Sequence, residues 1–274
     1  MTASTLPIAL TIAGSDSGGG AGIQADLKTF QAFGVFGTTA LTAITAQNTL
    51  GVQAIHPIPI DVVRAQIDSV AEDLRPSGVK SGMLATAELV RAVAEAIRAH
   101  DLGNYVMDPV MVATSGDRLL ARDAEAALIT ELIPLASLVT PNLQEARILT
   151  DLPIDSLEDM RAAAMALMEM GAGAALVKGG HLGGGEAVDL FWDGVREVTW
   201  RRTRLDTPHT HGTGCTLSAA AAAGLARGLP LPEAVDQAID FVARAIGTAP
   251  GLGQGHGPVN HFAGTAFNPG LDLP

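Results

Sequence analysis

Apolar residues recur along most of this chain with a spacing that alternates between buried strand and amphipathic helix. Residues 8–14, IALTIAG, form a short apolar run, and residues 21–34 place apolar side chains at helical spacing before Gly34. The same reading predicts strands within 36–46, 78–84, 105–110, 137–142 and 174–180, and helices at 60–74, 86–100, 123–133, 156–171, 214–228 and 231–247. Residues 186–202 are typical of an antiparallel hairpin that turns at an Asp-Gly pair.

Repeated strand–helix units predict an α/β fold with a mostly parallel sheet and helices on both of its faces. No internal repeat or linker divides the chain, so we expect a single domain over residues 1–274. In such sheets, ligands bind beyond the carboxyl ends of the strands. The candidate functional residues are therefore those that follow each predicted strand.

Composition narrows the range of partners. The formal net charge is −12, from 17 Lys and Arg against 29 Asp and Glu, which argues against nucleic acid or an anionic membrane as the main partner. One cysteine cannot form an internal disulfide. No apolar run reaches the roughly 20 residues that span a bilayer, and no basic residue precedes the first apolar run as in a signal peptide. We expect a cytoplasmic protein.

The first strand is followed by GSDSGGGAGIQAD, residues 14–26, which has four glycines in five positions. Glycine lets backbone approach a ligand closely, although a tight strand-to-helix turn explains the same residues equally well. The segment matches neither the P-loop nor the dinucleotide-binding fingerprint. Asp26 lies in the following helix, where a solvated acid near the positive end of the helix is the default interpretation.

Three later strand ends carry charged or polar residues. Asp108 precedes a proline and is expected in extended backbone. Asn142 and Glu145 have the spacing of a helix capping box, but they also suit Mg²⁺ held through water. Lys178 ends an apolar strand, where it is either an ordinary solvated residue or a point charge for a phosphate.

The segment HTHGTGCTLSAA, residues 209–220, leads into a predicted helix. Gly212 and Gly214 free backbone N–H groups to surround anionic oxygens at the positive end of that helix. There the helix is expected to lower the pKa of the Cys215 thiol, although a lone cysteine is often a small buried apolar residue. His209 and His211 are either loop residues or ligand contacts. These residues favour a phosphate-handling α/β enzyme.

Seven stretches in order carry a family resemblance: AGSDSGGGAGIQADLKTF, TAITAQNT, VKSGMLA, MDPVMVATSG, TPNLQEA, VKGGH and HTHGTGCTLSAA, within residues 13–220. Together they closely resemble the hydroxymethylpyrimidine/phosphomethylpyrimidine kinases of thiamine biosynthesis, in the ribokinase-like superfamily. The resemblance implies a three-layer α/β/α sandwich with a small β flap, and a homodimer. It also implies ATP and Mg²⁺ as cofactors and two successive phosphorylations of 4-amino-5-hydroxymethyl-2-methylpyrimidine.

The resemblance also implies roles for individual residues. The substrate contacts would be Gly14, Asp26, Gln47, Met83 and Val110, with the Gln47 amide reading the aminopyrimidine edge. The nucleotide and Mg²⁺ contacts would be Asp108, Asn142, Glu145 and Lys178, with Glu145 and Asp108 holding the metal through water. The catalytic set would be Lys178, the anion hole Gly212, Thr213 and Gly214, and Cys215 as the base.

Cys215 occupies a position where sugar kinases of the superfamily carry Asp, and the pyrimidine kinases are the branch with Cys. Two alternatives stay open: a pyridoxal kinase of the same superfamily, and a non-catalytic module that binds a nucleotide or a pyrimidine. A dinucleotide-dependent oxidoreductase is disfavoured because the glycine fingerprint is missing.

Overall fold

A computed structural model describes residues 6–111, 122–180 and 185–264 of the chain. Residues 112–116 of the MDPVMVATSG stretch, and the histidine of VKGGH, lie outside the described residues. The strands are β1 Ile8–Ala13, β2 Phe36–Leu41, β3 Ala43–Asn48, β4 Gly51–Pro57, β5 Gly78–Ser81, β6 Tyr105–Met107, β7 Leu138–Val139, β8 Ala175–Gly179, β9 Glu186–Trp192 and β10 Glu197–Thr203. The helices are α1 Gly22–Ala32, α2 Ile60–Asp73, α3 Ala87–Ala99, α4 Arg122–Ala127, α5 Leu143–Thr150, α6 Leu157–Glu169, α7 Thr213–Ala226 and α8 Leu231–Gly247.

Eight strands form one sheet in the order β10-β9-β8-β7-β6-β5-β1-β2. The pairs from β8 through β2 are parallel, whereas β9 and β10 form an antiparallel hairpin at one edge. The predicted mainly parallel sheet and the predicted hairpin are therefore confirmed. Because the six parallel strands end at the same edge, the loops that follow β1, β5, β6, β7 and β8 are brought together there.

Helices cover both faces of the sheet, which confirms the three-layer arrangement. One core joins strand side chains such as Leu10 and Val79 to helices α2 through α6. The other joins Ala9, Val106 and Leu176 to α1, α7 and α8. Most of α7 is buried, and its run of alanines lets it pack closely between the sheet and α8. This helix begins at the carboxyl edge of the strands.

The predicted strand at 36–46 is wrong as one element. The chain leaves the main sheet at Thr42, whose Oγ1 donates a hydrogen bond of 2.8 Å to the Met83 carbonyl oxygen. The next residues, β3, pair only with β4 in a separate two-stranded antiparallel sheet, which we call the flap. The sequence pattern did not predict β4. The helix predicted at 123–133 begins as α4 and continues as a π-helical turn, Leu128–Leu132.

The turn of the flap is bound to the C-terminal segment 253–257, which follows α8. The Thr49 carbonyl oxygen accepts a 2.8 Å hydrogen bond from the backbone N–H of His256. Its Oγ1 accepts longer hydrogen bonds from the N–H groups of Gln254 and Gly255, at 3.2 and 3.3 Å. The C-terminal segment thus holds the flap over the carboxyl edge of the sheet.

Candidate active site

The two glycine-rich segments meet where α1 and α7 begin. Gly212, which caps α7, has a φ of +81°, and a Cβ there would overlap the Gly20 carbonyl oxygen. At the start of α1, the backbone N–H of Gly22 points to the Cys215 sulfur. Two helix N-termini therefore surround one thiol, so that N–H groups and the positive ends of both helices act on the same small volume.

Asp26 is fully buried and forms an ion pair with Lys80, which is also fully buried. The Lys80 Nζ lies 2.9 and 3.1 Å from the two carboxylate oxygens, and Thr11 Oγ1 donates a third hydrogen bond at 2.6 Å. Burial opposes the positive charge of Lys80, but the Asp26 carboxylate outweighs it and raises the pKa of the lysine, which stays charged. The default interpretation of Asp26 as a solvated acid is wrong.

Lys80 is a residue that the sequence analysis missed. It stands in β5, in the quoted stretch VKSGMLA, where a lysine between Val79 and Ser81 gives no sign of its burial. Its position on β5 faces α1 and α7, because its neighbour Val79 belongs to the core on the other face of the sheet. The available signal for a functional lysine was its place in an apolar strand that is followed by a glycine.

Cys215 is partly exposed at the start of α7. Burial among its neighbours raises the pKa of its thiol to about 11, although the positive charge of Lys80 acts in the opposite direction. The expectation that the helix N-terminus lowers this pKa is therefore wrong. Desolvation by the surrounding chain outweighs the lowering effects of Lys80 and of the Gly22 N–H group, and this balance depends on tertiary packing.

A second lysine and an acid lie beside the start of α7. Lys178 Nζ is 3.2 Å from Asp108 Oδ1, and Ser218 Oγ donates to Asp108 Oδ2 at 3.2 Å. A Cβ on Gly214 would lie 3.3 Å from Lys178 Nζ, so the lysine lies beside this glycine of the expected anion hole. Burial opposes the charge of Lys178, but Asp108 and Glu145 raise its pKa. The lysine can meet an anion at the N-terminus of α7.

Asn142 and Glu145 form the predicted capping box of α5. Asn142 Oδ1 accepts from the Glu145 N–H at 2.9 Å, and Glu145 Oε2 accepts from the Asn142 N–H at 2.8 Å. The capping interpretation is thus confirmed. Burial raises the pKa of Glu145 to about 7, although Lys178 acts in the opposite direction. A further cation beside this buried carboxyl group would favour its ionised form.

Asp108 and Glu145 are the two residues that were expected to hold a metal ion. No group of three or more His, Cys, Asp and Glu side chains in the described parts of the chain is arranged to hold a metal ion. Two carboxylates that lie near one another and near Lys178 are compatible with Mg²⁺, which keeps most of its water and needs few protein ligands.

The structure places the five expected substrate residues on different elements. Gly14 packs against Met83, because a Cβ on this glycine would overlap the methionine methyl group. Val110 follows Asp108 after β6 and is half-buried, as is Gln47 in β3 of the flap. Asp26 has no exposed surface, so in this conformation it reaches a ligand only through its contacts with Lys80 and Thr11.

Asp16 and His211 join the first glycine loop to the segment before α7. The Asp16 carboxylate accepts from the N–H groups of Gly18, Gly20 and Ala21 at 2.8, 3.1 and 2.8 Å. It also lies 2.8 Å from His211 Nε2. Burial acts to raise the pKa of Asp16, but its hydrogen bonds, led by that to His211, hold the pKa below its usual value. Asp16 was not singled out in the sequence analysis.

Comparison with known proteins agrees with this geometry. A family model described as phosphomethylpyrimidine kinase matches residues 16–260. The hydroxymethylpyrimidine/phosphomethylpyrimidine kinase of Rhizobium meliloti is 56% identical over 258 residues, which cover 93% of this chain and 97% of that protein.

Solved structures give the same fold. The pyridoxal kinase of Bacillus subtilis in complex with ADP has a TM-score of 0.88 and 41% identity, and the match covers 94% of this chain and 98% of that one. The phosphomethylpyrimidine kinase of Clostridium difficile has a TM-score of 0.79 and 41% identity, over 87% of this chain and 99% of that one. The ribokinase-like fold class is confirmed. No helix in the described part of the chain is both long and apolar enough to cross a membrane.

Proposed function

This chain belongs to the phosphomethylpyrimidine kinase family, and on that premise we propose that it uses ATP to phosphorylate 4-amino-5-hydroxymethyl-2-methylpyrimidine and then the resulting monophosphate. The observation that supports this most directly is the meeting of two helix N-termini with the buried Lys80 and the half-buried Lys178 around Cys215. Phosphoryl transfer depends on positioning and on neutralising negative charge, which N–H groups and lysines supply together.

In the first step, the hydroxymethyl oxygen of the substrate attacks the γ-phosphorus of ATP, its proton moves to Cys215, and ADP leaves. The proposed anion hole, Gly212, Thr213 and Gly214, donates backbone N–H groups to the transferred phosphoryl group. Lys178, which lies beside Gly214, adds a positive charge near the same oxygens. Lys80 favours the thiolate form of Cys215, which is the form that can accept this proton.

In the second step the attacking atom is an oxygen of the monophosphate, which needs little or no deprotonation. The neutralising groups are used again, whereas the base is dispensable. Mg²⁺, held through water by Glu145 and Asp108, would neutralise phosphate charge when bound. The raised pKa of Glu145 supports this assignment. The positive charge of Lys178 does not compensate for the burial of the Glu145 carboxyl group, and a bound cation would supply further positive charge.

A second candidate substrate is pyridoxal. The structural similarity to pyridoxal kinases, at a TM-score of 0.88, favours it.

We also propose that residues 1–274 act as a single kinase domain, in the cytoplasm where ATP is available, and as a homodimer. The exposed outer face of the flap, which includes Ile44, supports the homodimer.

The proposal is tested by ATP consumption with Mg²⁺, comparing hydroxymethylpyrimidine, its monophosphate and pyridoxal as acceptors. Turnover of both pyrimidines is the expected result. Turnover of pyridoxal alone would make the second candidate the correct one. ATP binding without release of ADP in the presence of any acceptor would indicate a binding module. Omission of Mg²⁺ should abolish turnover, and restored turnover on its addition would support the proposed metal.

A further inference from the structure

Thr49, in the turn of the flap, accepts hydrogen bonds from three successive backbone N–H groups of the C-terminal segment. The nitrogens of Gln254 and Gly255 lie 3.2 and 3.3 Å from its Oγ1, and the nitrogen of His256 lies 2.8 Å from its carbonyl oxygen. Gly255 permits this close approach, because a Cβ there would overlap the Thr49 carbonyl oxygen. The side chain and the backbone of one residue thus bind the flap to the C-terminal segment.

The same C-terminal segment is fixed to the start of α7. The backbone N–H of His211 donates to the Gly257 carbonyl oxygen at 3.1 Å, and the N–H of Val259 donates to the His211 carbonyl oxygen at 3.3 Å. His211 directly precedes the proposed anion hole. Two residues after Val259, His261 Nε2 lies 3.0 Å from Thr216 Oγ1 in the first turn of α7. One short stretch of chain therefore joins the turn of the flap to the helix N-terminus where the transferred phosphoryl group is expected.

The flap depends on contacts of this kind because it is small. It has two strands, and β4 has five consecutive exposed residues. A two-stranded hairpin is marginally stable in water without further packing. Along β3, Thr45 Oγ1 donates to the Ser15 carbonyl oxygen at 2.8 Å. Ser17 Oγ likewise donates to the Gln47 carbonyl oxygen at 2.8 Å, so β3 is fixed to the first glycine loop, whereas Thr49 fixes the turn that leads into β4.

We propose that Thr49 is a positioning residue of the acceptor site, which holds the turn of the flap at a set distance from the start of α7. This inference rests on the proposed function. Phosphoryl transfer needs the attacking oxygen within about 3–3.5 Å of the phosphorus and roughly in line with the leaving group. The pyrimidine is expected under the flap and the phosphoryl group at α7, so a contact that fixes one element against the other sets their separation. Thr49 acts through the C-terminal segment and not by touching the substrate.

The first test compares Thr49→Val with Thr49→Ser. Valine has nearly the same shape but removes the oxygen that accepts from Gln254 and Gly255. We expect kcat/KM for hydroxymethylpyrimidine to fall about tenfold or more, with a rise in its KM, because the pyrimidine is held less well in place. KM for ATP should stay within about twofold of wild type. Serine keeps the hydroxyl oxygen and should restore most of the loss.

The second test changes the other side of the same contact. Gly255→Ala would press on the Thr49 carbonyl oxygen and should act in the same direction as Thr49→Val. Gly103→Ala is the matched control, since neither glycine has a positive φ and no atom lies within 4 Å of a Cβ at Gly103. Its KM for the pyrimidine should equal that of wild type. The double variant of Thr49→Val and Gly255→Ala should lose little more than the larger single loss, because both changes break one contact.

An unchanged KM for the pyrimidine in Thr49→Val and Gly255→Ala, or an equal rise in KM for ATP, would overturn the inference. A variant that is only less stable loses active protein and lowers kcat alone, so the rise in one KM is the distinguishing result.

Amide hydrogen exchange of the ligand-free protein tests the inference without turnover. Thr49→Val should speed exchange in flap residues 43–57 by about tenfold and leave the main sheet unchanged, because a hairpin released at its turn opens more often. Unchanged exchange in the flap would also overturn the inference. A wild-type protein that turns over neither pyrimidine would contradict the proposed function, while hydrogen exchange still decides whether Thr49 holds the flap.

Discussion

At the scale of single residues, the charge of Lys80 favours the thiolate form that Cys215 needs in its proposed role as the base. Burial raises the pKa of Cys215, and Lys80 opposes that effect without being exposed to solvent. Lys80 itself stays charged because Asp26 is its ion-pair partner. Removing one member of such a pair typically costs about 3–5 kcal/mol, so the two residues are retained together. In the proposed reaction, Asp26 therefore contributes through Lys80 even without an exposed atom.

Cys215→Ala should slow the first phosphorylation by about 100-fold or more and the second by less than about tenfold, because only the first needs a base. With a thiol pKa of about 11, the thiolate fraction is small at neutral pH and rises tenfold with each pH unit. The single-turnover rate of the first step in wild type should therefore increase with pH between about 7 and 9. The second step should lack this dependence. An equal loss in both steps, or a first step with no pH slope, would contradict the role of Cys215 as the base.

The sequence predicted which polar residues follow the strands, but not how they are paired. Asn142 and Glu145 could be identified as a cap because a capping box is local in sequence. Lys80 and Asp16 were missed because their partners, Asp26 and His211, lie on other elements. The pKa of Cys215 was predicted in the wrong direction for the same reason: a helix terminus is local, whereas desolvation depends on the packed structure.

At the scale of elements, the position of α7 depends on a left-handed backbone at Gly212, against which the Gly20 carbonyl is packed. Gly212→Ala should both strain the backbone, at about 1–2 kcal/mol, and displace the first glycine loop. We expect a lower melting temperature and a fall of kcat/KM by about 100-fold or more, since misplaced anion-hole donors cost rate.

Gly228→Ala is the matched control for Gly212→Ala. Gly228 has the same φ of +81°, but no atom lies within 4 Å of the Cβ that alanine would add. This control should lose a similar part of the stability that comes from backbone strain and keep wild-type kcat/KM. If both variants lose activity equally, the contact between Gly212 and Gly20 is not what positions the anion hole.

Helices and strands could be predicted from the sequence where a pattern of apolar residues or a turn sequence indicates them. The hairpin β9–β10 was predicted from Asp193 and Gly194, and the structure explains it: Asp193 Oδ1 accepts from the N–H groups of Val195 and Arg196. By contrast, β4 has five consecutive exposed residues and no alternation of burial, so hydrophobic periodicity cannot reveal it. The break between β2 and β3 was also invisible, because β-branched residues continue across Thr42.

At the scale of the whole molecule, the alternation of strands and helices was sufficient to predict the layered fold, since parallel strands need covering helices on both faces. The acidic net charge of −12 does not prevent phosphate chemistry, because a phosphate responds to the charges close to it and not to the net charge of the chain. Lys80 and Lys178 are placed on the same face of the sheet as α7, where its N-terminal N–H groups point. The order of the strands follows from tertiary pairing and was not predicted.

The proposed homodimer is also a property of the whole molecule, and the outer face of the flap is where we expect it to form. Ile44 is 50% exposed there, on the same face as its cross-strand partner His56. Ile44→Glu would place a charge in a contact that excludes water, so light scattering should give a mass near the 28.0 kDa of one chain instead of twice that value. Val195→Glu, at a turn residue that is 91% exposed, should leave the dimer intact. A wild-type protein of one-chain mass would contradict the homodimer, whereas a dimer that persists in Ile44→Glu would place the interface on another face.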